Sequence, residues 1–445
     1  MTSVYGQLMR VLPATPQERA ASLWAFAYFF ALLATNYVLR PIRDQMGIAG
    51  GVRSLPWLFT ATFAVLLLAQ PLYGALVARM TRVRFIPLVY HFFAANLAIF
   101  WLLFTFQVAT VEVARAFFVW VSVFNLFAVA VFWSFMADIF SSEQSERLFG
   151  FIGAGGTAGS LLGPLITIAL AGPLGPTNLL LAAAVLLELS VLCVHRLERK
   201  AVIMNGQPVQ TSGQATDQAK DRAASTEIGG SAYAGLTEIV RSPYLAGIAL
   251  WVSLLSLAAT FLYLQQANIV ATSIHDRAAQ TRLFASIDLA VGLITLSTQV
   301  LLTGWVIKRF GVATAAAALP TVFVLGFSAL ALVPRLAVVV AVQVLQRSTN
   351  FAVSNPARHI FFTVVPREEK YKAKNMIDVV VYRGSDALWG AVFGVVQTLG
   401  VGIPGMAACA LPLVIGWLAL SVALGRTQER RAAGIGSRGK VEHVP

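Results

Sequence analysis

Charge and cysteine are both scarce in this 445-residue chain, and the scarcity narrows its class. Only 12% of the residues are Asp, Glu, Lys or Arg, about half the ~25% usual for a soluble domain. So few charges cannot clothe the surface of a water-soluble protein of this length. The two cysteines, Cys193 and Cys409, both lie in apolar runs. That number and placement exclude a disulfide framework and a thiolate metal site. Also missing are the HExxH, GxSxG, CxxC and Walker patterns. Enzyme, metal and cofactor readings therefore have no support, and none is expected. What is abundant is apolar surface, at 58% of all residues. It is spread along the whole length, as in one membrane-embedded unit.

A hydrocarbon core of ~30 Å needs a run of ~20 mostly apolar residues. Such runs fall at roughly 20–42, 55–78, 84–106, 113–139, 148–171 and 177–195, then 244–269, 281–307, 312–333, 335–365, 374–400 and 403–424. The polar first 19 residues contain no signal-peptide core, so the first run is expected to stay as a span. These boundaries predict an all-α membrane protein of about 12 helices. Two six-helix halves, 1–195 and 243–425, flank a polar linker at 196–242, and a basic tail at 426–445 is expected to be loose.

The net charge of +13 does not point to nucleic acid, because almost all basic residues sit in short loops between apolar runs. With the N-terminus inside, 24 Lys and Arg fall on the cytoplasmic side and seven outside; Arg347 and Arg383 lie within spans. That asymmetry predicts cytoplasmic termini and a cytoplasmic linker. Arg outnumbers Lys 26 to 7, a codon bias that fits the inner membrane of a bacterium with a GC-rich genome.

The halves also repeat. Glu143–Gly153 parallels Glu368–Asp378 at an offset of 225, which places Gly159 on Gly384, and Arg40 and Arg43 on Gln265 and Asn268. Gly74 with Arg79 and Arg82 matches Gly304 with Lys308 and Arg309 independently. A parallel repeat of two six-helix halves predicts a fold like that of the major facilitator superfamily.

Charges inside spans cost ~2.5–3.5 kcal/mol each on insertion scales, so they face protein or water and mark a pathway by default. Arg40 and Arg43 share a face of the first helix, with Asp44 beside them and Pro41 expected to kink the chain. Asp288 on the eighth helix is placed to reach their level. Near mid-span lie Arg347 on the tenth helix and Arg383 with Asp386, three residues apart, on the eleventh. Guanidinium forks bind phosphate or carboxylate bidentately without titrating. The alternatives are internal salt bridges and, for Arg40 and Arg43, snorkelling to the interface. Asn350, Ser354 and Asn355 lie near Arg347, with a ligand or a neighbouring helix as their partner. Asp138, with Glu143, Glu146 and Arg147, is a candidate inner gate against the basic run 367–374; a solvated charge pair is the plainer reading. The Gly155-xxx-Gly159-xxx-Gly163 spacing reads as a helix-packing face rather than a nucleotide loop. Glu188, in the sixth span, has no evident partner in sequence.

Three segments resemble the ATP/ADP translocase (nucleotide transporter) family. They are Asn36-Tyr37 through Leu39-Arg40 to Arg43-Asp44, Phe132-Trp133 to Gly163, and Lys372-Ala-Lys374-Asn-Met-Ile-Asp378 to Arg383-Gly384. The resemblance implies an alternating-access carrier and puts Asp378 and Arg383 on the family's Asp and Arg. Where the family's exchangers carry Lys three residues later, this chain has Asp386, a reversal of two charge units that weakens attraction for a strongly anionic nucleotide. The expected function is secondary transport of a small anionic metabolite, a nucleotide by resemblance. Arg40, Arg43, Arg347, Arg383 and Asn350 would bind it, and Asp44, Asp138, Asp288, Asp378 and Asp386 would gate or couple. In an exchanger, uncompensated arginines would hold back the empty carrier. The alternatives are a proton-coupled carrier of a neutral or cationic solute, with Asp386 or Asp288 taking the proton, and a non-transporting membrane scaffold. The lipid bilayer is the one partner implied besides the substrate.

Overall fold

The computed structural model describes residues 15–79, 82–205, 234–366, 373–374 and 376–441. Among them there is no strand, and 12 helices are long and apolar enough to cross a membrane. The spans run Pro16–Ala49, Val52–Ala69, Phe85–Thr105, Thr110–Ile139, Glu143–Leu170 and Gly175–Met204. They continue with Pro243–Ser273, Arg277–Leu301, Lys308–Leu332, Leu336–Val364, Met376–Thr398 and Ile403–Ala433. The first and seventh are the most enclosed, each with 61% of its apolar window buried. They hold equivalent places in the two halves of the expected repeat.

Several helices outrun their hydropathy. The first continues through Pro41 as far as Ala49. The sixth continues through Arg196 to Asn205, and Ala234–Arg241 forms a short helix, so both flanks of the expected linker are helical; residues 206–233 lie outside the described set. The tail is likewise not loose at its start, because the last helix runs from Ile403 to Val441. Arg, Glu, Lys and Ala are strong helix formers, so polarity ends the apolar window without ending the helix. The tail is also held by contacts. Glu429 accepts hydrogen bonds from the amides of Val312 and Ala313 (2.9 and 3.2 Å), just after Gly311 turns at φ 79°. Arg431 stacks over Tyr244, 4.5 Å from the ring centre.

The chain gathers into two compact units. One comprises Met1–Gly50, Ala64–Glu227 and Asp276–Leu289; the other comprises Gly51–Phe63, Ile228–His275 and Ala290–Pro445. The beginning of the eighth span therefore belongs with the first unit, and the beginning of the second span with the second.

In the first unit the glycine stripe forms a packing face, as its spacing predicts. A Cβ on Gly155 would strike the carbonyl oxygen of Phe26, and one on Gly159 that of Phe30; on Gly163 it would meet the Ala34 oxygen at 2.8 Å. The three contacts keep a constant offset of 129 residues, so the first and fifth helices run parallel in one register. Their starts are tied as well. Thr15 and Glu18 form one capping box, and Ser141 and Gln144 form another. Glu18 then accepts from Gln144 (3.0 Å) and Arg147 (3.3 Å), joining the two caps. Each box satisfies amides that a helix start would leave open.

In the second unit the tenth span is broken. The helix Leu336–Thr349 passes into a π-turn, Asn350–Ser354, then the short helix Asn355–Phe361. Pro356 explains the break, since it offers no amide hydrogen to the carbonyl of Ala352 four residues back, nor to Phe351 five back. Side chains supply the donors instead. Thr303 donates to the Ala352 oxygen (2.8 Å), and Gln299 to the Phe351 oxygen (3.2 Å). Such irregular backbone survives at membrane depth only where protein satisfies it in this way.

Candidate functional site

In the first unit, the 34-residue opening helix carries Arg40, Arg43 and Asp44 inside its length rather than at its end. At 1.5 Å per residue, Arg40 lies about 13 Å short of Ala49. Arg40 meets Asp288 at 3.8 Å and sits over the Tyr37 ring. Asp288 is 2% exposed, while the Arg40 side chain remains 24% exposed. Arg43 binds Asp44 through two nitrogens, at 2.6 and 3.0 Å, with its guanidinium 5.2 Å from the Phe118 ring centre. One turn before Arg40, Asn36 is buried, and its Oδ1 finds no hydrogen-bond partner among the described residues. Each of these arginines has a carboxylate partner, as the internal salt-bridge alternative expects. A buried carboxylate and an aromatic face hold each of them among helices.

In the second unit, Arg383 and Asp386 pair at 3.4 Å on the eleventh span, as their spacing predicts. Asp386 also accepts a 2.6 Å hydrogen bond from Ser256 of the seventh span. Beside them, Ser253 is bridged by Ser385 (3.0 Å) and the Trp389 indole (3.1 Å). The result is a hydroxyl-lined seam between the seventh and eleventh helices, with Arg383 still 39% exposed. Asp378 lies in a second π-turn, Met376–Val381, and pairs with Arg358 at 3.5 Å. Arg347 is 9% exposed on the tenth span, and Asn350 follows it by three residues in the π-turn, with a buried Oδ1 that finds no partner among the described residues.

The structure thus joins Arg40 to Asp288, Arg43 to Asp44 and Arg383 to Asp386, so these three arginines are not uncompensated. Arg358, which lies within the expected run 335–365, belongs to the tenth span and faces Asp378. Ser256 and Ser253 were not legible as site residues, because a lone hydroxyl in an apolar run gives no signal until its partner is placed. Of the expected inner gate, Arg147 is held by Glu18 and by Glu143 (3.6 Å), and Asp138 lies one residue before the end of its span. Residues 367–372 of the opposing basic run lie outside the described set. Glu188 does have a partner, His91, at 2.9 Å.

The sequence from residue 20 to 374 matches the family model of the Major Facilitator Superfamily. The chain belongs to that superfamily. A bacterial homologue of the iron transporter ferroportin, solved in an inward-facing state, superposes with a TM-score of 0.63 at 11% identity, covering 92% of this chain and 98% of its own. A bacterial homologue of the human lysosomal transporter Spinster gives 0.56 at 13% identity, with 94% and 98% covered. The nucleoside transporter NupG gives 0.56 at 15%, with 94% and 99% covered. These are likenesses of fold. No curated protein matches the chain in sequence. As a member of this superfamily with 12 apolar helices, the chain is a multi-pass membrane protein and a secondary transporter of a small solute.

Proposed function

We propose that this transporter carries a nucleotide or another anionic metabolite by alternating access, with Arg383 as the central anion-binding group. The observation that carries the proposal is the Arg383–Asp386–Ser256 cluster. It is a partly exposed guanidinium whose internal carboxylate partner is held elsewhere by a shorter hydrogen bond. An incoming phosphate or carboxylate can replace Asp386 at Arg383, with Ser256 still donating a hydrogen bond to the displaced carboxylate. Arg40 with Asp288 offers the same exchange in the first unit, and Arg347 with Asn350 supplies further donors. The resemblance to ATP/ADP translocases supports a nucleotide, and the proposed setting is a bacterial inner membrane with cytoplasmic termini. Nothing in this chemistry calls for a catalytic step, so the protein is not proposed to be an enzyme.

A second reading follows from the same pairs. Because Arg40, Arg43 and Arg383 each face a carboxylate, these three pairs carry no net positive charge. That favours a neutral solute of nucleoside type, with Asp386 or Asp288 carrying a coupling proton. Ligand-induced stabilisation separates the two. Purified protein is heated with adenine nucleotides or with adenosine, beside Arg383→Ala. A ligand present at 100 times its Kd stabilises by about 2.7 kcal/mol. The first reading expects nucleotides to raise the melting temperature of the natural protein and not of Arg383→Ala. Stabilisation by adenosine alone, equal in both proteins, would select the second.

A further inference from the structure

His91 and Glu188 form a titratable pair where a membrane protein has least reason to keep one. His91 Nδ1 and Glu188 Oε1 are 2.9 Å apart across the third and sixth spans, and their side chains are 53% and 46% exposed. The residues around them are large, apolar and equally outward: Leu88, Phe92, Val185, Leu189 and Leu192. Surfaces of that composition face lipid. Further along the same two helices, the Trp101 indole donates to Asn178 at 2.8 Å. The positions of both pairs sum to 279, so they are rungs of one antiparallel register ten residues apart. The third and sixth helices therefore present a single ordered face with polar groups at fixed intervals.

Depth decides what can cover the pair. The first formally charged residues towards the near ends are Arg84, seven residues from His91, and Arg196, eight from Glu188. At 1.5 Å per residue that is about 10–12 Å, well inside a core of ~30 Å. Phosphate headgroups do not reach that level and acyl chains offer no hydrogen bond. Neither the structural nor the transport chemistry described above uses the pair. A second copy of the chain, however, offers the complement. One donor beside one acceptor is self-complementary under a two-fold axis, which sets His91 of each copy against Glu188 of the other. Polar contacts of this kind hold helices together in membranes.

We propose that the third-span and sixth-span face of the first unit is covered by the same face of a second copy, making the transporter a homodimer through His91 and Glu188. The proposal is independent of substrate. Its test counts subunits by single-molecule photobleaching of the full chain, fluorescently tagged at the C-terminus, in vesicles at high lipid dilution. Disulfide trapping of Val185→Cys in a Cys193→Ala, Cys409→Ala background reports on the face itself. The expected result is predominantly two-step bleaching and a Val185 cross-link between copies. The His91→Leu/Glu188→Leu variant only adds apolar surface and should still insert. It should weaken association roughly tenfold, the sum of two modest interhelical polar contacts. One-step bleaching of the natural protein overturns the proposal. So does dimerisation that the double variant leaves unchanged, or a cross-link from Val185 only to a different membrane protein.

Discussion

Gly159→Ala is the smallest substitution that tests how the first unit is assembled. The added Cβ would lie inside contact distance of the Phe30 carbonyl oxygen, with Ala34 N at 3.0 Å and Phe30 C at 3.1 Å. All three are backbone atoms of a continuous helix, so no rotamer change relieves the overlap and the two helices must separate. Separation would be shared by Gly155 and Gly163, which lie one turn away on either side in the same register. Overpacking of this kind costs about 1–3 kcal/mol, set against a gain of up to about 1 kcal/mol from alanine's better helix propensity. A net loss of about 1–2 kcal/mol is expected. Gly150 and Gly153 are internal controls, because on the same helix a Cβ there meets nothing within 4 Å. Gly150→Ala should keep only the propensity gain. The assay is the temperature at which half the detergent-solubilised protein leaves the monodisperse peak on fluorescence size-exclusion. Gly159→Ala should melt several degrees below the natural protein, and Gly150→Ala at or above it. Equal melting of the two variants would refute the close approach of the first and fifth helices.

Other expectations follow from single interactions. Thr303→Val should lower the melting temperature by a few degrees, the equivalent of about 1–2 kcal/mol, because it strips the donor from the Ala352 carbonyl that Pro356 leaves open; an unchanged melt would mean another group satisfies that oxygen. Asp378→Arg and Arg358→Asp should each destabilise the protein, since each sets like charges together at low exposure. The double exchange should recover at least half of the loss in a double-mutant cycle, and strict additivity would dissolve the pair. Asp386→Lys should strengthen nucleotide-induced stabilisation, because it adds two units of positive charge beside Arg383. Unchanged stabilisation of that variant would remove Asp386 from the neighbourhood of the ligand.

Much of this arrangement is legible in the residues themselves. The Gly155-xxx-Gly159-xxx-Gly163 spacing specifies a close contact because only glycine leaves room for a facing carbonyl. Arg383 and Asp386 can pair because residues three apart share a helix face. Arg40 and Asp288 were placed at one level, though nothing in either segment said which carboxylate would come within 4 Å. The π-turns were hidden. Pro356 marks a break, but whether the freed carbonyls go to water or to side chains depends on Gln299 and Thr303, about fifty residues earlier. Helix ends were set too short wherever Arg, Glu and Lys took over from apolar residues, as at Arg196–Asn205 and in the tail, because a hydropathy window registers lipid contact and not hydrogen-bonded helix. Glu188 shows the limit most plainly, since its partner lies 97 positions away on another span.

The central claim, anion transport through Arg383, is tested most directly by counterflow in proteoliposomes. Vesicles loaded with unlabelled adenine nucleotide are diluted into labelled nucleotide without a pH gradient, with natural protein and Arg383→Ala reconstituted to equal density. Transient accumulation of label by the natural protein, absent from Arg383→Ala, is the predicted result. Absence of counterflow in both, together with adenosine uptake that needs a pH gradient and survives Arg383→Ala, would contradict it.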